Sequence, residues 1–184
     1  MSRYFISITL PQAIQESVDQ ILPDEPQWRK VKREQLHLTL RFIGEAESSR
    51  IDQIQESLKE IDLPAFNLKL KGVGFFPDDG PVRVIWLGIE NKSALMDLQQ
   101  KVDEIVSDVM NSDREHSFVP HVTLARIKKG FLKSEKLLDS IPEENEQFEF
   151  KVRSFQLMES KKGSRGVDHH IVENYELKSG ERNQ

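Results

Sequence analysis

The apolar positions follow a two-residue period along much of the chain, and this period predicts β-strands. Segments such as "RYFISITL" and "LHLTLRFIG" alternate apolar with polar residues and are rich in β-branched and aromatic side chains. The turn "PDDGP" at 77–81 combines proline, aspartate and glycine, the residues that favour chain reversal. The predicted strands cover residues 3–10, 36–44, 65–76, 82–89, 118–127, 148–160 and 169–177.

Other segments carry apolar residues three and four positions apart, which predicts amphipathic helices. In the segment 45–61, for example, Ile51, Ile54, Leu58 and Ile61 fall on one helical face. The predicted helices cover residues 11–21, 45–61, 92–110 and 133–140. The segments predicted to lack regular structure are a basic, mobile loop at 25–35, a basic turn at 161–166 and a frayed tail at 178–184.

The order of these elements indicates the fold class. Strands alternate with helices, but several neighbouring strands are joined by short turns, which favours α+β with mainly antiparallel sheets over a doubly wound parallel sheet. A strand that contains H-x-T-L occupies a similar place in each half of the chain. We therefore expect one bilobal, pseudo-symmetric domain over residues 1–184, with two sheets facing each other across a cleft and helices outside.

Charge and composition narrow the class of function. The formal net charge of the 184 residues is -5, whereas a protein that holds long nucleic acid non-specifically needs excess positive charge. A small anionic target, or a strand end held in a local basic pocket, is compatible with this net charge. The absence of cysteine excludes disulfides, thiolate nucleophiles and cysteine-based zinc sites.

The N-terminal segment and the apolar runs bear on location. "MSRYFISITLP" is too short and too alternating for a signal peptide, and no run approaches the ~20 apolar residues of a membrane span. We therefore expect a soluble cytoplasmic protein that does not bind a membrane. We also expect it to be a monomer.

The repeated motif is the strongest chemical signal in the chain. "HLTL" stands at 37–40 and "HVTL" at 121–124, although the sequence holds only five histidines and three threonines. Roughly 0.1 H-x-T pair is expected by chance. The repetition indicates an internal duplication, a chemistry that needs the same groups twice, or both.

The strand period decides where these side chains point. Residues i and i+2 of a strand share a face, so His37 lies beside Thr39 and His121 beside Thr123. The intervening apolar residues face the other way and are expected to pack on helices. If a pseudo-two-fold relates the lobes, the two imidazoles and two hydroxyls meet in the cleft.

This set of groups suits a phosphodiester. An imidazole titrates near pH 6.5, so one histidine can accept a proton from the attacking group while the other donates a proton to the leaving oxygen. The hydroxyls of Thr39 and Thr123 can bind the non-bridging phosphate oxygens. Arg126 is the expected cationic contact, because guanidinium pairs bidentately with phosphate.

The histidine motifs also have less specific interpretations. A single H-x-T on a strand is usually a half-buried histidine with no further role, and only the duplication argues otherwise. Zinc binding by His37 and His121 is disfavoured because threonine is a poor ligand and no further ligand set stands at useful spacing. We therefore expect no metal and no cofactor. His169 and His170 are adjacent and must face opposite ways in a strand, while His116 falls in a polar loop.

These motifs resemble the 2H phosphoesterase superfamily, and within it the RNA 2',3'-cyclic phosphodiesterases, also called 2'-5' RNA ligases. The resemblance covers nearly the whole chain. "RYFISITLP" is similar to the family's opening R-x-F-x-A-x-x-L-P, with Ser7 at the small-residue position. "LHLTLRFIGE", "VPHVTLAR" and the hairpin "GVGFFPDDGPVRVIWLGI" are also similar to family segments. "GVDHHIVENYEL" resembles the closing G-x-x-Y segment, with His169 in place of the usual tyrosine.

The resemblance implies a bilobal fold and metal-independent opening of a 2',3'-cyclic phosphate to a 2'-phosphate. It implies that His37 and His121 are catalytic, that Thr39 and Thr123 bind phosphate, and that Arg126 is a further phosphate contact. The implied partners are RNA ends or small cyclic nucleotides, or cyclic phosphates derived from ADP-ribose. A binding module without turnover and 2'-5' RNA joining remain as alternatives. The basic residues that are candidates for holding an RNA end are Lys30, Lys32, Arg33, Lys128, Lys129, Lys161, Lys162 and Arg165.

Overall fold

The computed structural model describes residues 2–128, 141, 147–163 and 166–179. Within them, nine strands form one sheet against which three α-helices pack. The strands are β1 (Arg3–Thr9), β2 (Trp28–Lys30), β3 (His37–Glu45), β4 (Phe66–Phe76), β5 (Val84–Ile89), β6 (His121–Ile127), β7 (Phe148–Val152), β8 (Ser154–Gly163) and β9 (Gly166–Glu176). The helices are α1 (Gln12–Asp19), α2 (Ser48–Leu58) and α3 (Ser93–Met110), and a 3₁₀ turn spans Arg33–Gln35.

The sheet is antiparallel and has two halves. Its strand order is β7-β4-β5-β6-β3-β1-β8-β9, and β2 pairs with β6. We call β3-β1-β8-β9 the first half-sheet and β6-β5-β4-β7 the second half-sheet. They are joined where β3 pairs with β6, so the two expected sheets are parts of one continuous sheet. The α+β, mainly antiparallel class is confirmed.

The half-sheets do not correspond to the two halves of the chain, because β8 and β9 return to pair beside β1. The prediction of a single strand over 148–160 is therefore wrong. The strand is interrupted at Arg153. Before this residue β7 pairs with β4 at the edge of the second half-sheet, and after it β8 pairs with β1 in the first half-sheet. The alternation of apolar residues continues across this break, so the pattern alone could not reveal it.

The prediction of a mobile loop at 25–35 is also wrong, because this segment contains β2 and the 3₁₀ turn. Trp28 anchors it: its side chain is buried in the core, and its indole N–H donates to the carbonyl of Pro23 at 3.2 Å. The predicted basic turn at 161–166 is mostly strand, since β8 runs to Gly163 and β9 starts at Gly166. The predicted helix at 133–140 lies outside the described residues.

The hydrophobic core lies between the helices and one face of the sheet. Leu38 and Leu40 of β3 and Val122 and Leu124 of β6 are buried there, together with apolar residues of all three helices. The opposite face of the same strands is left for polar groups. No helix in the described part of the chain is long and apolar enough to cross a membrane.

A buried ion pair ties the first motif strand to α3. The Arg41 Nε of β3 lies 2.9 Å from the Asp103 carboxylate, and these side chains are 15% and 7% exposed. The same carboxylate accepts the backbone N–H of Glu115, and the Arg41 guanidinium donates to the carbonyl of Asp113 at 2.9 Å. The pair therefore holds β3, α3 and the chain after α3 together.

Asp103→Ala is expected to lower the free energy of unfolding by about 3 kcal/mol, because it removes the nearer carboxylate from the largely buried Arg41 guanidinium and leaves only Glu115 at 3.7 Å. Urea unfolding followed by circular dichroism measures the change. Asp62→Ala is the matched control, since Asp62 pairs with Lys178 on the surface. An exposed pair contributes less than about 1 kcal/mol. A loss in Asp103→Ala no larger than that of the control would contradict the role assigned to the buried pair.

Candidate active site

The two motif strands place their polar residues on the face that the core leaves free. In β3, His37 and Thr39 are half-buried, whereas the residues between and after them are fully buried. In β6, His121 and Thr123 show the same alternation. The predicted sharing of faces by residues i and i+2 is therefore present in both strands.

The pairing of β3 with β6 brings the two motifs side by side. The structure gives one ladder pair between these strands, Leu38 opposite Val122, and the strands are antiparallel. Continuing this register sets His37 across from Thr123 and Thr39 across from His121. All four polar side chains thus converge on one face at the junction of the half-sheets.

A β-bulge brings Arg126 to the same face. In a regular strand Arg126 would face away from His121, because the two residues are an odd number of positions apart. Thr123 and Ala125 pair with consecutive residues of β5, so Leu124 is an extra residue in β6. Leu124 and Ala125 are both buried, and the exposed Arg126 returns to the face of the histidine.

The first motif strand carries a bulge at the equivalent position. Thr39 and Arg41 pair with consecutive residues of β1, so Leu40 is an extra residue in β3. The bulge turns Arg41 toward α3 and Asp103, and it brings Phe42 to the face of the histidines. Phe42 therefore holds the place in the first half-sheet that Arg126 holds in the second.

Both catalytic candidates are fixed by the same backbone contact. His37 Nδ1 lies 2.6 Å from the carbonyl oxygen of Gln35, and His121 Nδ1 lies 2.7 Å from that of Val119. A carbonyl oxygen only accepts hydrogen bonds, so each Nδ1 carries a hydrogen and donates it. Each Nε2 is then the atom left for proton transfer, as acceptor in the neutral ring and as donor in the charged ring.

His37 lies in an apolar and aromatic environment. Its ring centroid is 5.1 Å from that of Phe5 and 5.5 Å from that of His169, which meets it edge-on. Burial lowers the pKa of His37 to about 4; the hydrogen bond to Gln35 opposes this shift, and charges at His169, His121 and Arg126 add to it. In the free protein His37 is therefore neutral at neutral pH.

His169, which stands where the resembling family has tyrosine, belongs to this environment. It packs on Phe5 with a centroid distance of 4.9 Å, and its Nδ1 lies 2.9 Å from the Ser160 hydroxyl. Burial lowers the pKa of His169 as well. His170 is exposed, in agreement with the expectation that the adjacent histidines face opposite ways.

Two aromatic residues line the site beside His121. The ring of Phe76 meets His121 edge-on at 5.0 Å, and Trp86 lies 6.3 Å from the same imidazole. Trp86 pairs with Thr123 across the strands, and its indole lies over Gly74 of β4. These residues and Phe5 were not predicted as site residues. The available signal was the alternation within their strands, but the strand partners were unknown.

Of the six basic candidates for holding an RNA end that lie in the described residues, four have other contacts. Lys128 Nζ donates to the carbonyl of Pro26 at 2.7 Å, and Arg33 and Lys162 are exposed. The candidates that form ion pairs are Lys30 with Asp19, Lys32 with Asp168 and Lys161 with Glu159, at 3.4, 2.9 and 3.0 Å. Lys129 and Arg165 lie outside the described residues. These pairs reduce the positive charge available to RNA.

Metal coordination has no support in the described residues. No three or more His, Asp or Glu side chains among them lie close enough together to hold a metal ion. The side chains that converge on this face carry imidazole, hydroxyl and guanidinium groups.

An antiparallel α+β fold with two histidine–threonine strand motifs on one face defines a 2H phosphoesterase. A family model described as the 2'-5' RNA ligase superfamily matches residues 10–164. The chain belongs to this superfamily.

Relatives and solved structures agree with this membership. The chain is 32% identical over 163 residues to the RNA 2',3'-cyclic phosphodiesterase of Archaeoglobus fulgidus, covering 86% of this chain and 90% of the relative. It is 33% identical over 147 residues to the protein of that name from Thermotoga maritima, covering 76% and 77%. The crystal structure of E. coli LigT in apo form superimposes with a TM-score of 0.77 and 26% identity, covering 96% of this chain and 97% of that one.

The chemical shift of the His37 Cε1 proton is expected to change with a midpoint near pH 4, because burial disfavours the charged imidazole. The ordinary value in the unfolded chain is 6.5, so the unfolded state binds more protons between these values. Stability should therefore fall as pH drops from about 6.5 toward 4. NMR titration measures the midpoint directly.

His169→Ala should raise this midpoint, because it removes both a neighbouring charge and part of the burial. The exposed His170→Ala is the control and should leave it nearly in place. A His37 midpoint of 6 or higher in the unsubstituted protein would contradict the buried, neutral imidazole.

Gly74→Ala is expected to displace Trp86, because the added Cβ would lie 2.2 Å from a carbon of the indole ring. Overpacking of this kind costs about 1–3 kcal/mol of stability. Chemical unfolding of the single and double variants tests the contact. In a Trp86→Leu background the same Gly74→Ala change should cost much less. Equal losses of stability in the two backgrounds would show that the position of the Trp86 indole does not depend on Gly74.

Proposed function

We propose that this protein is an RNA 2',3'-cyclic phosphodiesterase that opens a terminal 2',3'-cyclic phosphate to a 2'-phosphate without a metal ion. One observation carries the proposal: two imidazoles, each fixed through Nδ1 by a carbonyl two residues earlier, stand on neighbouring strands beside two threonines. The names of the curated relatives, RNA 2',3'-cyclic phosphodiesterase, support the same reaction.

The chemistry follows from these groups. The Nε2 of one neutral histidine accepts a proton from water as the water oxygen bonds to phosphorus. The Nε2–H of the other, charged histidine donates a proton to the 3'-oxygen as its bond to phosphorus breaks. Thr39 and Thr123 donate hydrogen bonds to the non-bridging oxygens, and Arg126 stabilises their negative charge. The role of each residue is part of the proposal.

The substrate is proposed to be an RNA end or a small cyclic nucleotide. E. coli LigT, 25% identical to this chain, has been crystallised with 3'-AMP and with ATP. Because one chain supplies both motifs, the site is complete in a single copy, which supports a monomeric single domain. Cytoplasmic location stays a prediction.

A second candidate is the joining of RNA ends through a 2'-5' bond, which the name of the superfamily favours. The same two histidines would serve it in the same acid and base roles, with a 5'-hydroxyl of RNA attacking the phosphorus in place of water and the 3'-oxygen leaving. A phosphate-binding module without turnover is less well supported, because a phosphate cradle does not require two imidazoles with free Nε2 atoms.

His37→Asn and His121→Asn are each expected to lower kcat by about 10²–10⁴-fold, because each removes a proton carrier. Asparagine can still donate to the carbonyl that binds Nδ1, so the fold should be kept. Turnover of adenosine 2',3'-cyclic phosphate and of a short RNA with that end, with EDTA present, measures the loss.

Thr39→Val and Thr123→Val are matched variants that remove a hydroxyl but no proton carrier, so they should reduce kcat less than the histidine changes. A histidine variant that keeps more than about a tenth of the unsubstituted kcat would remove that residue from acid–base catalysis. Loss of turnover with EDTA would contradict the metal-independent mechanism. Absence of turnover with every cyclic phosphate would favour the binding module.

A further inference from the structure

Ser7 of β1 carries a buried hydroxyl on the same face of the sheet as the motif residues of β3. Ladder pairing places Ser7 directly opposite Thr39, and directly paired residues point to the same side of a sheet. The residues on either side of it, Ile6 and Ile8, are buried in the core, so Ser7 faces away from the core. The Ser7 hydroxyl therefore lies beside Thr39, whose own hydroxyl is proposed to bind phosphate.

Two rings cover Ser7. Along the strands, His37 lies on one side of the Ser7–Thr39 pair and Phe5 lies on the other. The centroids of these two rings are nevertheless only 5.1 Å apart, so the rings lean toward each other over Ser7. Ser7 is accordingly 0% exposed, although it lies on the face of the sheet that carries the site.

The Ser7 hydroxyl has no hydrogen-bond partner among the residues that the structure describes. Gln156 of β8 pairs with Ser7 on the other side, but its side-chain amide accepts the backbone N–H of Thr9 at 3.1 Å. The same amide donates to Asn174 Oδ1 at 2.8 Å. An unpaired buried hydroxyl destabilises a folded protein, because it has given up its hydrogen bonds to water. Beside a reactive centre, such a group is explained when its bond forms only with substrate present.

We propose that Ser7 is a positioning residue whose hydroxyl donates a hydrogen bond to Thr39 Oγ1 when Thr39 donates to the substrate phosphate; this inference rests on the proposed function. A threonine hydroxyl has one hydrogen and two lone pairs. Once its hydrogen points to a non-bridging oxygen, Oγ1 is left as an acceptor for the Ser7 hydrogen. Donation to Oγ1 polarises the Thr39 O–H and strengthens its bond to the phosphate.

The second half-sheet is built differently at the corresponding place. Trp86 of β5 lies directly opposite Thr123, where the first half-sheet has the serine opposite its threonine. The Trp86 indole extends over Gly74, on the side of β5 away from Thr123. Its N–H, which is also unpaired among the described residues, lies on that side as well. Positioning by a neighbouring hydroxyl is therefore expected for Thr39 and not for Thr123.

Ser7→Ala is expected to lower kcat about 2- to 10-fold with adenosine 2',3'-cyclic phosphate, the effect of one neutral hydrogen bond. KM should change less, because the charge on the non-bridging oxygens is greatest in the transition state. In a Thr39→Val background the same serine change should leave kcat unaltered, because the acceptor is gone. In a Thr123→Val background the full loss should persist.

Thermal unfolding of the free protein separates positioning from a merely structural role. Ser7→Ala should raise Tm, because it removes a buried hydroxyl that is unpaired within the described part of the chain. Ser107→Ala is the matched control, since Ser107 is 5% exposed on α3 and its hydroxyl donates to the carbonyl of Asp113 at 3.3 Å. The control should lower Tm and leave kcat unchanged.

Four results would overturn the positioning role. They are an unchanged kcat in Ser7→Ala, an equal fold-loss in the unsubstituted and Thr39→Val backgrounds, a loss that Thr123→Val abolishes, and a fall in Tm like that of Ser107→Ala. The last result would mean that the Ser7 hydroxyl is already paired in the free protein and stabilises the fold.

Failure of the proposed function has a different signature. If the unsubstituted protein turns over no cyclic phosphate, calorimetric titration with inorganic phosphate still tests the contact between the two hydroxyls. A rise in Kd of about 2- to 10-fold in Ser7→Ala, absent in the Thr39→Val background, would support it. Equal binding of phosphate by Ser7→Ala and the unsubstituted protein would overturn it.

Discussion

The pairing of β3 with β6 is the contact on which the whole site depends. Its one ladder pair, Leu38 with Val122, lies in the core, and burial of these side chains forces both histidines and both threonines of the motifs to the opposite face. A slip of one residue in either strand would bury an imidazole and expose an apolar side chain. The hydrophobic free energy of the core therefore holds the polar groups in register.

Bulges then make the two half-sheets chemically different. Each motif strand contains an extra residue directly after its threonine, Leu40 in β3 and Leu124 in β6, and β3 has a second extra residue at Ile43. The same device turns Phe42 toward the site in one strand and Arg126 in the other. A pseudo-symmetric scaffold thus offers unlike side chains on its two sides, a phenyl ring on one and a guanidinium on the other.

The environments of the two imidazoles also differ. Both rings donate from Nδ1 to a carbonyl two residues earlier, so their tautomers are set alike. His37, however, is enclosed by Phe5 and His169, and its pKa falls to about 4. A bound phosphate would favour its charged form, so substrate binding itself would alter the protonation of the site.

The sequence by itself determined the α+β class, the face of each motif strand and the identity of the paired histidines and threonines, because alternation of side chains is local to a strand. The tertiary structure decided which strands are neighbours, as the division of residues 148–160 at Arg153 shows. It also decided that Arg126 and Phe42 face the site and that Lys32 is paired with Asp168. Bulges and ion pairs depend on a partner that is distant along the chain, and periodicity records only which side of a strand is buried.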